Sequence, residues 1–187
     1  MRTVVMRGCK GVGVFSVAAW IGCATAVSQS QEIPALVQQM GGSWSVSERM
    51  WPGSGSAPIA LPAATAERHL VAASLLQETM EAAPGSRQQF TRVASFEYNS
   101  VSKQYEYVSW DSRAPQMMVE KGRTALTLSG GRFVAPQWGS MKNVAFRYRL
   151  EVGRIQNGRQ TVRLYFTPLS GDTREFRAFE YVYRKEP

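Results

Sequence analysis

The sequence predicts an all-β protein: an up-and-down antiparallel barrel of about eight to ten strands preceded by a short helix. Three observations carry that expectation. Apolar residues recur at every second position through most of the chain, turn residues separate consecutive alternating runs, and one stretch near the N-terminus has helical spacing. Strict alternation marks strands with one buried and one wet face, the habit of antiparallel sheets. Closing such a meander removes its two unpaired edges.

The elements follow in chain order. "QEIPALVQQMGG" puts Pro34 in a first helical turn, Ile33, Leu36, Val37 and Met40 on one face, and Gly41-Gly42 at the end. "SWSVSERMW" then sets Trp44, Val46 and Met50 against serines and Arg49. "AFRYRLEV" sets Phe146, Tyr148, Leu150 and Val152 against Arg147, Arg149 and Glu151, and "TVRLYF" repeats the scheme with Val162, Leu164 and Phe166. Further strands are expected over 66–72, 75–82, 90–98, 104–112, 115–121, 124–129 and 175–184. Asn157-Gly158 and Ser170-Gly171-Asp172 are turn signals. In the last strand Phe176 and Ala178 are even-numbered, whereas Phe179, Tyr181 and Tyr183 are odd. Either a bulge near Ala178 shifts the face or both faces are partly covered. Residues 51–65 form one long irregular loop, a length typical of binding loops and lids or of disordered segments.

The chain of 187 residues suits one ordinary domain, expected over 27–187. Residues 1–26 read as a secretory signal peptide: Arg2, Arg7 and Lys10 form a positive head, Val12–Ile21 an apolar stretch, and Ala24-Thr25-Ala26 a cleavage signal. The expected location is therefore exported, periplasmic or extracellular. An uncleaved anchor, or lipidation of Cys23 after Gly22, is the minority alternative. Cys9 and Cys23 both lie in this leader, so cleavage leaves no disulfide, thiolate metal site or cysteine nucleophile. Cleavage also takes three of the 22 basic residues and lowers the formal charge from +8 to +5. Residues 123–187 hold twelve basic and five acidic groups, against seven and nine in 27–122. The basic half is a candidate face for an anionic envelope surface, or simply a solvated cationic sheet face. Nucleic acid is not an expected partner of an exported protein.

Gly42-Ser43-Trp44, just after a short helix and opening the first strand, resembles the Gly-x-Trp start of lipocalin-like (calycin) barrels. In those folds the tryptophan closes the barrel base under a basic residue of the last strand, and Arg184 is the matching candidate. More closely, the chain resembles a bacterial family of secreted lipocalin-like barrels catalogued as a domain of unknown function. The resemblance covers roughly residues 33–185. It rests on that motif, on Trp51-Pro52-Gly53, and on the stretch from Phe96-Glu97-Tyr98-Asn99 through Tyr105 to Trp110-Asp111-Ser112. The family usually has Gly-Tyr-Asp where this chain has Glu97-Tyr98-Asn99, and a Gly-Gly or Gly-Arg turn where it has Ala72-Ala73-Ser74. The resemblance implies a fold and no particular activity.

Candidate chemistry is sparse. His69 is the only histidine, sharing a strand face with Glu67 while Arg68 and Leu70 take the other. No G-x-S-x-G elbow is present. One histidine without cysteine is an unusual zinc ligand set, so neither metal nor cofactor is expected. Glu97 and Glu106 flank the 99–103 turn, where solvated rim charges are the simplest reading. Asp111 follows an aromatic strand and precedes a bend, where accepting backbone N–H groups ahead of Pro115 is its simplest role. The aromatics carry more weight. Tyr105 and Tyr107 share one strand face, Val108 and Trp110 the other, and one set joins Trp44, Phe146, Tyr148 and Phe166 inside the barrel.

A barrel of this size is either filled by side chains or holds one small ligand. The leading expectation is a binder of a small hydrophobic or amphipathic molecule, with no catalytic residue. Its candidate ligand-binding residues are Arg68, His69, Tyr105, Tyr107, Trp110, Asp111 and Tyr148. The alternatives are a hydrolase or isomerase using Asp111 or His69 at the barrel mouth, and a cationic envelope-interaction protein.

Overall fold

The computed structural model describes residues 36–72 and 75–187. The expected leader and cleavage site, with Cys23, lie outside the described residues, as does the start of the expected helix, of which 36–40 are helical. The strands follow in chain order: β1 (Gly42–Met50), β2 (Ile59–Ala60), β3 (Ala64–Ala72), β4 (Leu75–Ala82), β5 (Thr91–Asn99), β6 (Gln104–Asp111), β7 (Ala114–Thr124), β8 (Thr127–Trp138), β9 (Met141–Val152), β10 (Arg159–Pro168) and β11 (Phe176–Lys185). From β3 to β11 each strand pairs antiparallel with the next, and β1 pairs with both β3 and β11. The sheet thus closes into an up-and-down, lipocalin-like barrel. The two-residue β2 lies on the edge of β1 beyond the end of β3, pairing with Arg49 and Met50.

Local chemistry sets the register. Asn157 and Gly158 both have positive φ, at 51° and 68°, the backbone of the tight turn whose twist matches antiparallel strands. Asn99 Oδ1 accepts the backbone N–H groups of Val101 and Ser102, each at 3.0 Å, fixing the β5–β6 turn. Leu164 faces Phe179 whereas the adjacent Tyr165 faces Arg177, so Ala178 is the bulged residue that switches the face of β11. The β3–β4 turn residues 73 and 74 are outside the described set, yet pairing runs to Ala72 and Leu75.

The segment 130–144 has no clean period in the sequence but extends β8 and β9. Its register slips between Ser129 and Arg132, which moves Phe133 into the interior phase and breaks the alternation. Toward this end the wall is thin. The β7–β8 pairing reaches Glu120 and Gly130 and goes no further, so Ala114–Val119 and Arg132–Trp138 diverge. Tyr148 bridges the start of the divergence: its hydroxyl donates to Val119 O at 3.1 Å and accepts from Val119 N at 3.0 Å. Its ring lies on Gly130, where a Cβ would come within 1.9 Å of it. Pro136, which has no N–H to offer a ladder, sits in the divergent part of β8.

The helix covers one end of the barrel. Trp44, fully buried there, donates from Nε1 to Met40 O at 3.0 Å and meets Tyr183 edge-on at 6.3 Å. The cations over its ring are Arg68, at 5.2 Å, and Lys185, at 5.5 Å. Arg184, the expected cover, is exposed, because the bulge at Ala178 puts Tyr181 and Tyr183 inside and turns Arg184 outward.

Candidate functional site

The two ends of the interior differ. Around Arg68, Leu76, Glu78, Phe96 and Tyr183 the cavity is only about 20 Å³. Beyond Tyr107, toward the far end, lies a cavity of about 510 Å³. One wall is apolar: Phe133, Leu150, Leu164, Phe166, Phe179 and Trp138, with Met118 opposite. Phe133 packs against Phe146, Phe166 and Tyr148, and Trp138 against Phe166 and Phe179, with ring centroids 4.8–5.5 Å apart. Such stacked and edge-on ring pairs add packing energy beyond their buried area and tie this wall together. Met50 at the end of β1 and Leu61 just past β2 also line it, as do the polar side chains of Gln88, Ser109, Gln116 and Gln137.

The closed end is a satisfied polar plug. Glu78 receives Arg68 Nε at 2.7 Å and the Tyr183 hydroxyl at 3.3 Å, and Arg92 Nη2 lies 3.5 Å away. Arg68 also donates to Gln160 Oε1 at 2.6 Å, and Gln160 donates onward to Gly153 O at 2.9 Å. Burial alone would raise the Glu78 pKa, but the two guanidiniums prevail and hold it below the usual carboxylate range. Burial, with Glu78 nearby, pushes the Tyr183 hydroxyl up to about 12.

A second cluster braces the mouth. Glu48, buried on β1, accepts Arg113 at 2.8 and 3.3 Å, and Asp111 accepts the same guanidinium at 2.7 and 3.0 Å. The Arg113 guanidinium lies 3.7 Å above the Phe90 ring. Asp111 Oδ1 also takes the Arg113 backbone N–H at 2.9 Å, the turn role expected of it. Its carboxylate is thus a clamp on the two-residue β6–β7 connection, engaged through both oxygens.

Between these clusters lies the unsatisfied part. Arg92 points Nη2 at the Tyr107 hydroxyl and stacks over Tyr181 at 4.6 Å, while its Nη1 has no partner. Glu120, 1% exposed on β7 opposite Tyr107, has no partner at Oε2. Burial raises the Glu120 pKa to about 8, and Arg92 offsets only part of that. The indole N–H of Trp138 is also buried and unpartnered. All three residues line the cavity.

Of the residues singled out in the sequence, Tyr107 and Asp111 line this cavity, and Arg68 belongs to the closed-end plug. Tyr105 is inside, stacked on Phe96 at 6.0 Å, and Tyr148 seals the wall. His69 and Trp110 lie on the outside: His69 is exposed on β3, and Trp110, 44% exposed, sits in a shallow outer groove with Val71, Val93 and Met117. Glu97 and Glu106 face each other across β5 and β6 on the outer wall, where Lys121 holds Glu106 at 3.1 Å. Among the described residues no three His, Cys, Asp or Glu side chains gather as a metal site.

Arg92 and Glu120 are the residues that sequence reading passed over. A signal for them exists. Glu48, Glu78, Arg92 and Glu120 each occupy the inward phase of an alternating strand, beside Val46, Met80, Ala94 and Met118 respectively. A charge in an apolar phase marks a buried ion pair or a site.

Fold and cavity together define a lipocalin-like barrel with one filled and one hollow end. No protein-family model and no curated protein matches the sequence.

Proposed function

We propose that this protein is an exported lipocalin-like barrel that binds a small hydrophobic or amphipathic molecule in its open-end cavity. The observation that carries the reading is the hollow itself, with one aromatic wall and a few buried polar groups opposite. Its volume lies within the roughly 300–1,000 Å³ usual for small-molecule sites. Burial of about 0.8 kcal/mol per CH₂ gives an eight-carbon chain about 6 kcal/mol before association costs, enough for modest affinity without any reaction. Export rests on the leader pattern at residues 1–26.

The test is uptake of an apolar dye. Purified protein should enhance Nile red fluorescence with one-to-one stoichiometry. Ala135, buried and lining the cavity, is the place to fill it. Ala135→Trp should lose the dye while keeping a cooperative unfolding transition. Native mass spectrometry of protein from an exporting host should show a chain beginning at Val27. If wild type neither takes up the dye nor retains any co-purified molecule, the binding reading fails.

A further inference from the structure

Whatever occupies the cavity must answer an imbalance of hydrogen-bonding groups. The carboxylates at the mouth are taken: Asp111 and Glu48 both receive Arg113. Glu78, at the floor, receives Arg68 and Tyr183. Among the residues that line the cavity, the buried atoms left over are Arg92 Nη1, Trp138 Nε1 and Glu120 Oε2. An arginine or indole N–H can only donate, and a neutral carboxyl group donates through its O–H. A cavity with unmatched donors calls for an acceptor, and a buried guanidinium makes an anionic acceptor the stronger one.

We infer that the ligand is an amphipathic monocarboxylate, its carboxylate held by Arg92 and by Glu120 in the protonated form, its apolar body against the Phe133–Phe166–Trp138 wall. This rests on the cavity being the binding site and adds the chemistry of the headgroup. A phosphate monoester would bring a second negative charge that the one guanidinium, Arg92, does not balance. An alkyl amine would bring further donors to a site already in excess of them.

The proposal fixes a role for Glu120. It is held neutral at pH 7 by burial, since its pKa is raised to about 8. The titratable groups around it are Arg92 on β5, Tyr107 on β6 and Tyr148 on β9. The Glu48–Arg113–Asp111 clamp stands at the mouth. Both tyrosines are raised above their ordinary value by burial and stay neutral in the range that matters. Loss of the Glu120 proton above pH 8 puts a second carboxylate beside the ligand's, and binding weakens.

The experiment compares decanoate, methyl decanoate, decanol and decylamine as competitors of bound Nile red. At pH 7 decanoate should bind at least tenfold more tightly than the other three. Its Kd should rise about tenfold between pH 7 and pH 9, the factor by which the protonated fraction of a group titrating near 8 falls. Glu120→Gln should bind decanoate at pH 7 and lose this pH dependence, and Arg92→Met should lose the preference for the acid. If methyl decanoate or decanol competes as well as decanoate, the carboxylate inference falls while the binding reading stands. The same inference falls if the pH profile survives Glu120→Gln. If neither Nile red nor any of the four binds, both fall.

Discussion

At the closed end Glu78 accepts from Arg68 and Tyr183 with Arg92 at 3.5 Å, whereas on the cavity side Glu120 has no partner at Oε2. Both carboxylates are buried, on inward phases of neighbouring parts of one sheet, and both stand near Arg92. They have been pushed in opposite directions, Glu78 below its ordinary value and Glu120 up to about 8. Desolvation acts on each; the difference is whether hydrogen-bonded cations outweigh it. The paired carboxylate ties the closed end together, while the carboxyl left neutral by burial keeps an unpartnered oxygen that a ligand can engage.

The same substitution at the two positions should therefore have opposite signs. Glu78→Gln leaves Arg68 and Arg92 buried without their counter-ion, and breaking such a pair typically costs about 3–5 kcal/mol. Urea unfolding at pH 7 should show a large drop in midpoint, or no folded protein. The loss should shrink on acidification. The folded pKa of Glu78 lies below its unfolded value of 4.5, so its contribution is complete above that pH. It disappears as pH falls through the folded value. A Glu78→Gln protein as stable as wild type at pH 7 would show that the plug contributes nothing.

Glu120→Gln should stabilise. Between its unfolded pKa of 4.5 and the folded value of about 8, the native state holds a proton that the unfolded chain releases. Wild-type stability accordingly falls as pH rises through that window. The variant carries no such penalty. Its advantage should be near zero at pH 4, grow to a few kcal/mol by pH 8 and level off above, as thermal unfolding across that series would record. An advantage independent of pH would mean that Glu120 is ionised in the native protein.

The contrast also explains what the sequence made legible. Alternation in β1, β4, the second half of β9 and β10 was clean because each keeps its apolar residues on one inward face without a bulge of its own. The Ala178 bulge was readable as a change of parity, and the Asn99 and Asn157 turns from their residue types. Residues 130–144 were not readable, because Gly130, Gly131 and Pro136 lie where the β7–β8 ladder parts and the register slips. The sequence left open which face of β6 points inward, and the structure puts Tyr105 and Tyr107 inside. Arg92 and Glu120 were missed because a charge in the apolar phase reads as an interruption of the alternation, until strand pairing shows that the phase runs on through it, with Glu120 opposite Tyr107. Trp110 was assigned to binding by residue type, whereas its parity within β6 places it outside.

The smallest expected effects lie at the seam between the two regions, where Tyr148 spans the parting of β7 and β8. Tyr148→Phe removes a hydroxyl that satisfies both backbone groups of Val119, while keeping the ring against Gly130. The net loss of stability should be about 1 kcal/mol. The Val119 amide should exchange with solvent markedly faster, while amides of β9–β11 keep their protection. Gly130→Ala attacks the same seam from the other side, since its Cβ would lie 1.9 Å from the Tyr148 ring and must displace it. That costs about 1–3 kcal/mol of overpacking and should expose the same amide. If the cavity is entered through the parting strands, both variants should speed Nile red release without changing the closed end. Unchanged release with faster Val119 exchange would place the entrance instead at the mouth beneath the 51–63 loop.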